Sequence, residues 1–270
     1  MSHSAQTAQA GPVVLEAKHE GIATLVMNRP DRLNALNTEL AVAINEALGR
    51  IEKDETVRVV VITGAGRAFC AGGDLGALAK GHQTGAQDLE PLLRAGMQMV
   101  IKMRTMPQPV IAAVNGAAAG AGMNIALGAD IRIAAEEATF GQNFVKIGLF
   151  PDYGGTYLLP KLVGPAKAAE LFYTGEMIDA KTALSLGIVN QVVPAAQLEA
   201  EVKALAQKIS QGASLPIQAV KKELFAREQQ ELIRALENEV QEQNRCFPSE
   251  DCKEGIRAFF EKRRPKFQGK

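Results

Sequence analysis

The period of the apolar positions changes repeatedly along the chain, and each change marks a predicted element. Val13 to Lys18 and Ile22 to Met27, separated by His19-Glu20-Gly21, predict a β-hairpin. From Thr38 to Lys53 the residues Leu40, Ile44, Ala47, Leu48 and Ile51 recur at helical spacing, which predicts a helix with Thr38 as its cap. Val57 to Thr63 and Val110 to Val114 are unbroken apolar runs, the pattern of strands buried on both faces. Strand, helix and strand in that order imply a parallel sheet of βαβ units.

Leu89 to Met106 reads as a helix ended by Pro107 and Pro109. Ile131 to Ala135 and Ala138 to Gln142 follow as short strands, and Phe144 to Pro151 as an irregular connection. Asp152 to Thr156 opens a further helix. The segment 179–186 is read as a helix stopped at Gly187, with a strand through Val193. Helices are then predicted over Ala195 to Gln211, Pro216 to Phe225 and Gln229 to Arg245, with a tail from Glu250. Leu232, Ile233, Leu236 and Val240 form an apolar stripe on the third of these, expected to be a docking or subunit-contact face. The polar stretch Lys80 to Asp88 is expected to be mobile. These divisions give a disordered leader over 1–12, an α/β body over 13–194 and a helical region over 195–270.

Composition narrows the class. The chain has 270 residues, 47% of them hydrophobic, enough for a substantial core. Its 30 basic and 30 acidic residues cancel, so charge gives no argument for nucleic acid or a membrane surface as partner. Cys70, Cys246 and Cys252 are odd in number and lack metal-ligand spacing, so they are expected to be reduced thiols with no metal site. No run reaches the about 18 apolar residues of a membrane span. A soluble, cytoplasmic protein is expected.

Two loops of small residues carry the candidate chemistry, GAGRAFCAGGDL from Gly64 to Leu75 and the residues between Val114 and Met123. The second is not a dinucleotide loop, because Ile125 stands where the third glycine belongs, and not a phosphate loop, because no lysine follows. It is either a bare helix N-terminus able to stabilise negative charge or a close-packed turn. Two such loops at one end of a sheet could aim two backbone N–H groups at one oxygen. Asp74 is placed to cap a helix beginning at Leu75.

GRAFCAGGDL at Gly66 to Leu75, PQPVIAAVNGAAAGAGMNIALGADIRIA at Pro107 to Ala134 and TGEMIDAKTALSLGIVNQVVP at Thr174 to Pro194 resemble the crotonase, or enoyl-CoA hydratase/isomerase, superfamily. The resemblance implies an α/β spiral of ββα units with a helical C-terminal trimerisation region, assembled as a trimer or a dimer of trimers. It implies a coenzyme A thioester as substrate, no permanently bound cofactor, and an enolate held by the backbone amides of Ala71 and Ala121. It places CoA beside Arg29, Arg32, Leu33, Gly72, Asp74, Leu75 and Lys262, and the acyl group near Asn124, Phe144, Phe150 and Leu78.

The glutamates of family hydratases correspond to Asn124 and Phe144 here, so activation of water lacks its usual agents. Asp152 is the carboxylate that remains, at a position where many isomerase members carry their acid; taken alone, without the resemblance, it would read first as a helix cap. The segments KIGLFPDYGGTYLLPKLVG and EGIRAFFEKRRPKFQGK are similar to the isomerases of bacterial phenylacetate degradation, which open a ring epoxide and shift enoyl-CoA double bonds. The expectation is therefore an acyl-CoA isomerase. The alternatives are an enoyl-CoA hydratase working through Asp152 alone, or a non-catalytic protein of this fold that binds CoA or RNA.

Overall fold

In a computed structural model that describes residues 11–84 and 89–270, the chain winds as the spiral of ββα units that the resemblance implies. The expected leader lies outside the described residues except for Gly11 and Pro12, and so do residues 85–88 of the stretch expected to be mobile.

The hairpin β1 (Val14–His19) and β2 (Ile22–Met27) leads through a 3₁₀ turn to α1 (Thr38–Glu52). Asn37, not Thr38, caps α1, its side chain accepting the Leu40 N–H at 2.9 Å. Three turns of the spiral follow, each with one strand in a large sheet and the next in a small one. β3 (Val59–Gly64) and β4 (Ala68–Cys70) precede α2 (Leu75–Thr84) and α3 (Glu90–Thr105). β5 (Val110–Val114) and β6 (Ala117–Ala119) precede α4 (Ala121–Gly128). β7 (Ile131–Ala135) and β8 (Thr139–Gly141) precede a 3₁₀ helix at Asn143–Ile147 and then α5 (Gly155–Thr174). Three-residue strands leave no readable alternation, so β4 and β6 look like loop in the sequence.

After α5 come β9 (Met177–Asp179), α6 (Ala180–Ser185) and β10 (Gln191–Val193). The large sheet runs β1-β2-β3-β5-β7-β10, parallel except at β1, and the small sheet β4-β6-β8-β9. Four helices close the chain: α7 (Leu198–Ser210), α8 (Ser214–Ala226), α9 (Gln229–Cys246) and α10 (Glu250–Phe260). The predicted tail from Glu250 is thus a helix. Ser249 caps it, accepting the Cys252 N–H, and Cys252 and Ile256 are buried beneath charged neighbours that hide the stripe. No helix among the described residues is long and apolar enough to cross a membrane.

The C-terminal helices are packed into the body. Leu198, Val202 and Ala206 of α7 cover the outer face of the large sheet at Val59, Val61, Ile111, Ala113 and Ile133. The stripe on α9 is an internal docking face, with Leu232 and Leu236 in the main core. α8 is held by Lys221, whose Nζ donates to Met103 O at 2.7 Å and to Gln108 O and Asp130 Oδ2 at 2.8 Å. That carboxylate oxygen also accepts the Val110 N–H at the start of β5. Removing one partner of a buried pair strands the other charge. Lys221→Met is expected to destabilise the fold by about 3–5 kcal/mol, read as a lower urea midpoint at an unchanged slope.

Candidate active site

β4, β6 and β8 lie side by side and parallel in the small sheet, so their C-terminal ends emerge on one edge. Each end feeds one part of the site. β4 runs into Ala71–Asp74, β6 into Gly120 and the N-terminus of α4, and β8 into the connection that carries Asp152. The first two loops touch through backbone. Gly72, at φ +95°, approaches so closely that a Cβ there would lie 2.8 Å from Ala119 O, and a Cβ on Gly122 would collide with the carbonyl of Cys70.

Ala121 opens α4, and its N–H has no acceptor within the chain. Ala71, the other expected donor, is corrected by the hydrogen bonding: its N–H donates to Leu33 O at 3.0 Å. The cause is the left-handed backbone at Leu33 and Asn34, φ 52° and 55°. Fully buried Asn34 fixes this turn, donating to Ala65 O and Ala68 O and accepting the Arg29 N–H. Asp74 N–H likewise goes to Leu36 O at 2.8 Å. Between them, Gly73 keeps its N–H without an acceptor in the chain, so the first loop offers Gly73 and the second offers Ala121 at the head of the unpaired first turn of α4.

The expected CoA residues divide into two groups. Arg29 and Asp74 are joined to each other at 2.8 Å, and Arg29 also donates to Ala35 O. Asp74 Oδ1 accepts the Gly76 and Ala77 N–H groups at 3.1 and 3.2 Å, so it caps α2 as anticipated. These two side chains shape the first loop and are not free for a ligand. Arg32 and Lys262 are exposed, Leu33 and Leu75 half-buried, and Gly72 buried. Leu78 lies beneath Gly73, a Cβ on which would be 3.7 Å from its Cδ1, and packs with Phe247, Cys252 and Ile256.

Asp152 is buried at 8% exposure. Its Oδ2 accepts a hydrogen bond from Gln243 Nε2 at 3.1 Å, while its buried Oδ1 has no partner. Burial pushes its carboxyl up to about 8; the Gln243 bond restrains the shift and Glu239 adds to it. Asp152 is not the cap of α5. That role belongs to Glu239 of α9, which accepts from Gly154 N at 2.7 Å, Thr156 N at 2.9 Å and Thr156 Oγ at 2.5 Å. Glu239 is 1% exposed, and burial raises its carboxyl to about 7 against those three donors.

Asn124 is fully buried with both ends of its amide in use. Nδ2 donates to Asp152 O and Oδ1 accepts from Gln142 Nε2, each at 2.6 Å. It is packed so tightly on Gly155 that a Cβ there would collide with it. Phe144 is buried, its ring against Gly120, and half-buried Phe150 gives its N–H to Gln243 Oε1 at 2.9 Å. Cys70 is buried and its thiol is pushed up to about 12 by desolvation, which makes it inert packing, not a nucleophile. Among the described residues no group of His, Cys, Asp and Glu could hold a metal ion.

Gly73, Gln142, Glu239 and Gln243 are residues of the site to which the sequence reading gave no part in it. The signal for the last two was present: they are polar residues on the same face of α9 as Leu232, Leu236 and Val240.

Residues 17–270 match the enoyl-CoA hydratase/isomerase family. The 1,2-epoxyphenylacetyl-CoA isomerase of Escherichia coli (strain K12) is 39% identical over 95% of this chain and 98% of its own. The crotonyl-CoA hydratase of Syntrophomonas wolfei subsp. wolfei is 38% identical over 96% of this chain and 98% of its own. Among solved structures, an enoyl-CoA hydratase from Mycobacterium avium subsp. paratuberculosis K-10 superposes with a TM-score of 0.86 at 32% identity, covering 95% of this chain and 98% of the other. With the spiral fold, the paired amide donors and matches that span nearly the whole chain, this protein is an enzyme of the enoyl-CoA hydratase/isomerase family.

Proposed function

We propose that the enzyme is an acyl-CoA isomerase that moves a proton between two carbons of its substrate through a thioester enolate. The observation that carries this reading is a buried carboxylate, Asp152, with one unpaired oxygen, in a site where positions 124 and 144 hold no acid and the neighbouring buried Glu239 is taken up by Gly154 and Thr156. For a 3-enoyl thioester, ionised Asp152 takes a proton from C2, and the electron pair moves to the thioester oxygen held by the Gly73 and Ala121 N–H groups. The protonated carboxyl then returns the proton at C4, leaving a conjugated 2-enoyl product. Asp152 ends as it began, so no other acid is needed. Enolate formation next to a ring epoxide would open that ring by the same first step, and the name of the Escherichia coli relative supports such a substrate.

The hydratase reading is kept alive by the Syntrophomonas relative, at nearly the same identity. Against it stands Asn124, fully buried, whose amide is tied to Asp152 O and Gln142 and carries no carboxylate to activate a water. Exposed Arg32 and Lys262 are the side chains we assign to CoA phosphates, with CoA entering and leaving as part of the substrate and no resident cofactor. The exposed apolar residues Leu215, Val220 and Leu224 on α8 and Phe259 and Phe260 on α10 support self-association as a trimer or dimer of trimers. A cytoplasmic location completes the proposal.

The test is to assay the purified protein on 3-enoyl-CoA, a ring-epoxide thioester and crotonyl-CoA in deuterated water. Turnover of either of the first two, with kcat/KM rising with pH until Asp152 is ionised near 8, is expected. Rapid hydration of crotonyl-CoA with the other two left untouched would overturn the proposal.

A further inference from the structure

Helix α9 sets Glu239 and Gln243 one turn apart, each 1% exposed, and both reach the segment that carries Asp152. Glu239 holds its far side at Gly154 and Thr156, and Gln243 its near side at Phe150. The backbone N–H of Phe150 can only donate, so the Gln243 atom facing it is the amide oxygen. The other end of the amide, facing Asp152, is therefore the NH₂ group, 3.1 Å from Oδ2. A carboxyl that accepts a hydrogen bond at one oxygen favours carrying its own proton on the other. That other oxygen, Oδ1, is buried and has no partner in the chain.

Building on the isomerase reading, we propose that Gln243 is a positioning residue that makes Asp152 one-sided: it occupies Oδ2 and leaves Oδ1 as the oxygen that removes the proton from one substrate carbon and returns it to the other. In the first half the C2–H bond breaks, the Oδ1–H bond forms and the electron pair passes to the thioester oxygen. In the second half the pair returns, the C4–H bond forms and Oδ1–H breaks. Gln243 neither gains nor loses a proton. It keeps the carboxyl plane fixed between the two halves, so the intermediate meets the same oxygen twice. The helical C-terminal region thereby takes part in the chemistry, not only in packing.

The titratable group that acts on Asp152 is Glu239 from α9, and Asp152 in turn acts on Cys70 of β4 and the neighbouring Tyr153. The thiol and the phenol stay neutral across the working range because burial raises both. Glu239 titrates near Asp152, so it needs a control.

Two variants of the full chain, Gln243→Met and Gln243→Glu, test the role on 3-enoyl-CoA over a pH range bracketing about 8. Methionine fills similar volume without the donor. Glutamate keeps an oxygen for the Phe150 N–H but sets a second carboxyl against Asp152. Gln243→Met should lower kcat by about 10–100-fold, the range for one hydrogen bond to a charged group, with KM changed by less than about threefold. The rising limb of its kcat/KM profile should move to higher pH, because the donor that favours the ionised form is gone. Gln243→Glu should move the limb further in the same direction, and the shift should persist in a Glu239→Gln background.

A fall in kcat with an unmoved limb in both variants would reduce Gln243 to ordinary packing and overturn the proposal, as would wild-type behaviour. If Gln243→Met does not fold, Gln243→Glu gives the same pH reading. Asp152→Asn separates the two levels: if it is inactive while the Gln243 variants behave as wild type, only this inference fails. If Asp152→Asn is fully active, the isomerase reading through Asp152 fails.

Discussion

Asp152→Asn is expected to lower turnover of a 3-enoyl-CoA by about 10²–10⁴-fold, the usual contribution of a positioned acid–base group, with KM little changed. The variant keeps the shape of the site. An asparagine oxygen can accept from Gln243 at the place of Oδ2, and the backbone carbonyl that Asn124 holds is untouched. What disappears is the proton-carrying oxygen, so kcat should fall while the amides of Gly73 and Ala121 still bind the thioester. The same exchange should change stability with a defined sign. A carboxyl raised to about 8 in the folded state, from about 3.9 in an unfolded chain, binds its proton more tightly when folded. Its contribution is therefore fully present below the unfolded value and lost as pH rises through the folded one. Asparagine does not titrate, so the variant should gain stability relative to wild type as pH is raised from 5 to 9 on the order of these two values. Urea melts at both pH values read this directly, and a difference that shrinks with pH contradicts the buried-carboxyl assignment. Because the charge of Glu239 acts on Asp152, the comparison is repeated in a Glu239→Gln background.

How much of this was legible before the structure depends on the range over which each feature is encoded. Long periodic segments such as α1 and α9 could be read because apolar side chains repeat on one face. β4, β6 and β9 could not, since three residues pair only through a sheet built from distant segments. The resemblance carries one donor to Ala121, and the structure puts that residue at a helix N-terminus, a feature set by the local sequence. The other donor was misplaced by two residues because the fate of the Ala71 N–H is decided by Leu33, thirty-eight positions earlier, 71 − 33. Arg29 looked like a phosphate ligand for the same reason: its partner Asp74 is far away in sequence and near in space.

Asp152 shows the limit most clearly. Its own neighbours allowed a helix cap or an acid. The structure separates the two by bringing Glu239 from α9 to cap α5, which leaves Asp152 free of that role. The boundary drawn near residue 195 marks a change of secondary structure, while the site draws on both sides of it. Nothing within 13–194 could reveal that Gln243 donates to Asp152.

The interlocked loops give the second large effect. Gly122→Ala is expected to lower kcat by about 10²–10³-fold, the loss associated with one misplaced oxyanion donor, although the substitution adds one methyl group and touches no ionisable side chain. The new Cβ would meet the carbonyl oxygen of Cys70 and lie 2.8 Å from its carbonyl carbon and Cβ. These atoms belong to β4, which is paired to β6, so the methyl cannot be accommodated by a rotamer change. The two strands or the start of α4 must move, and either motion turns the Gly73 and Ala121 N–H groups away from a common oxygen. Gly128 of the same helix supplies the control. A Cβ there meets only Met103 and Val100 side-chain atoms at 3.6 to 3.8 Å, ordinary contact distances, so Gly128→Ala should keep wild-type kcat. Both variants raise the helix propensity of α4, which removes propensity as the cause of any difference between them. Circular dichroism and a thermal melt separate loss of fold from loss of geometry. A folded Gly122→Ala enzyme with undiminished kcat would mean that the two loops do not hold one oxygen between them, and the enolate would need another site.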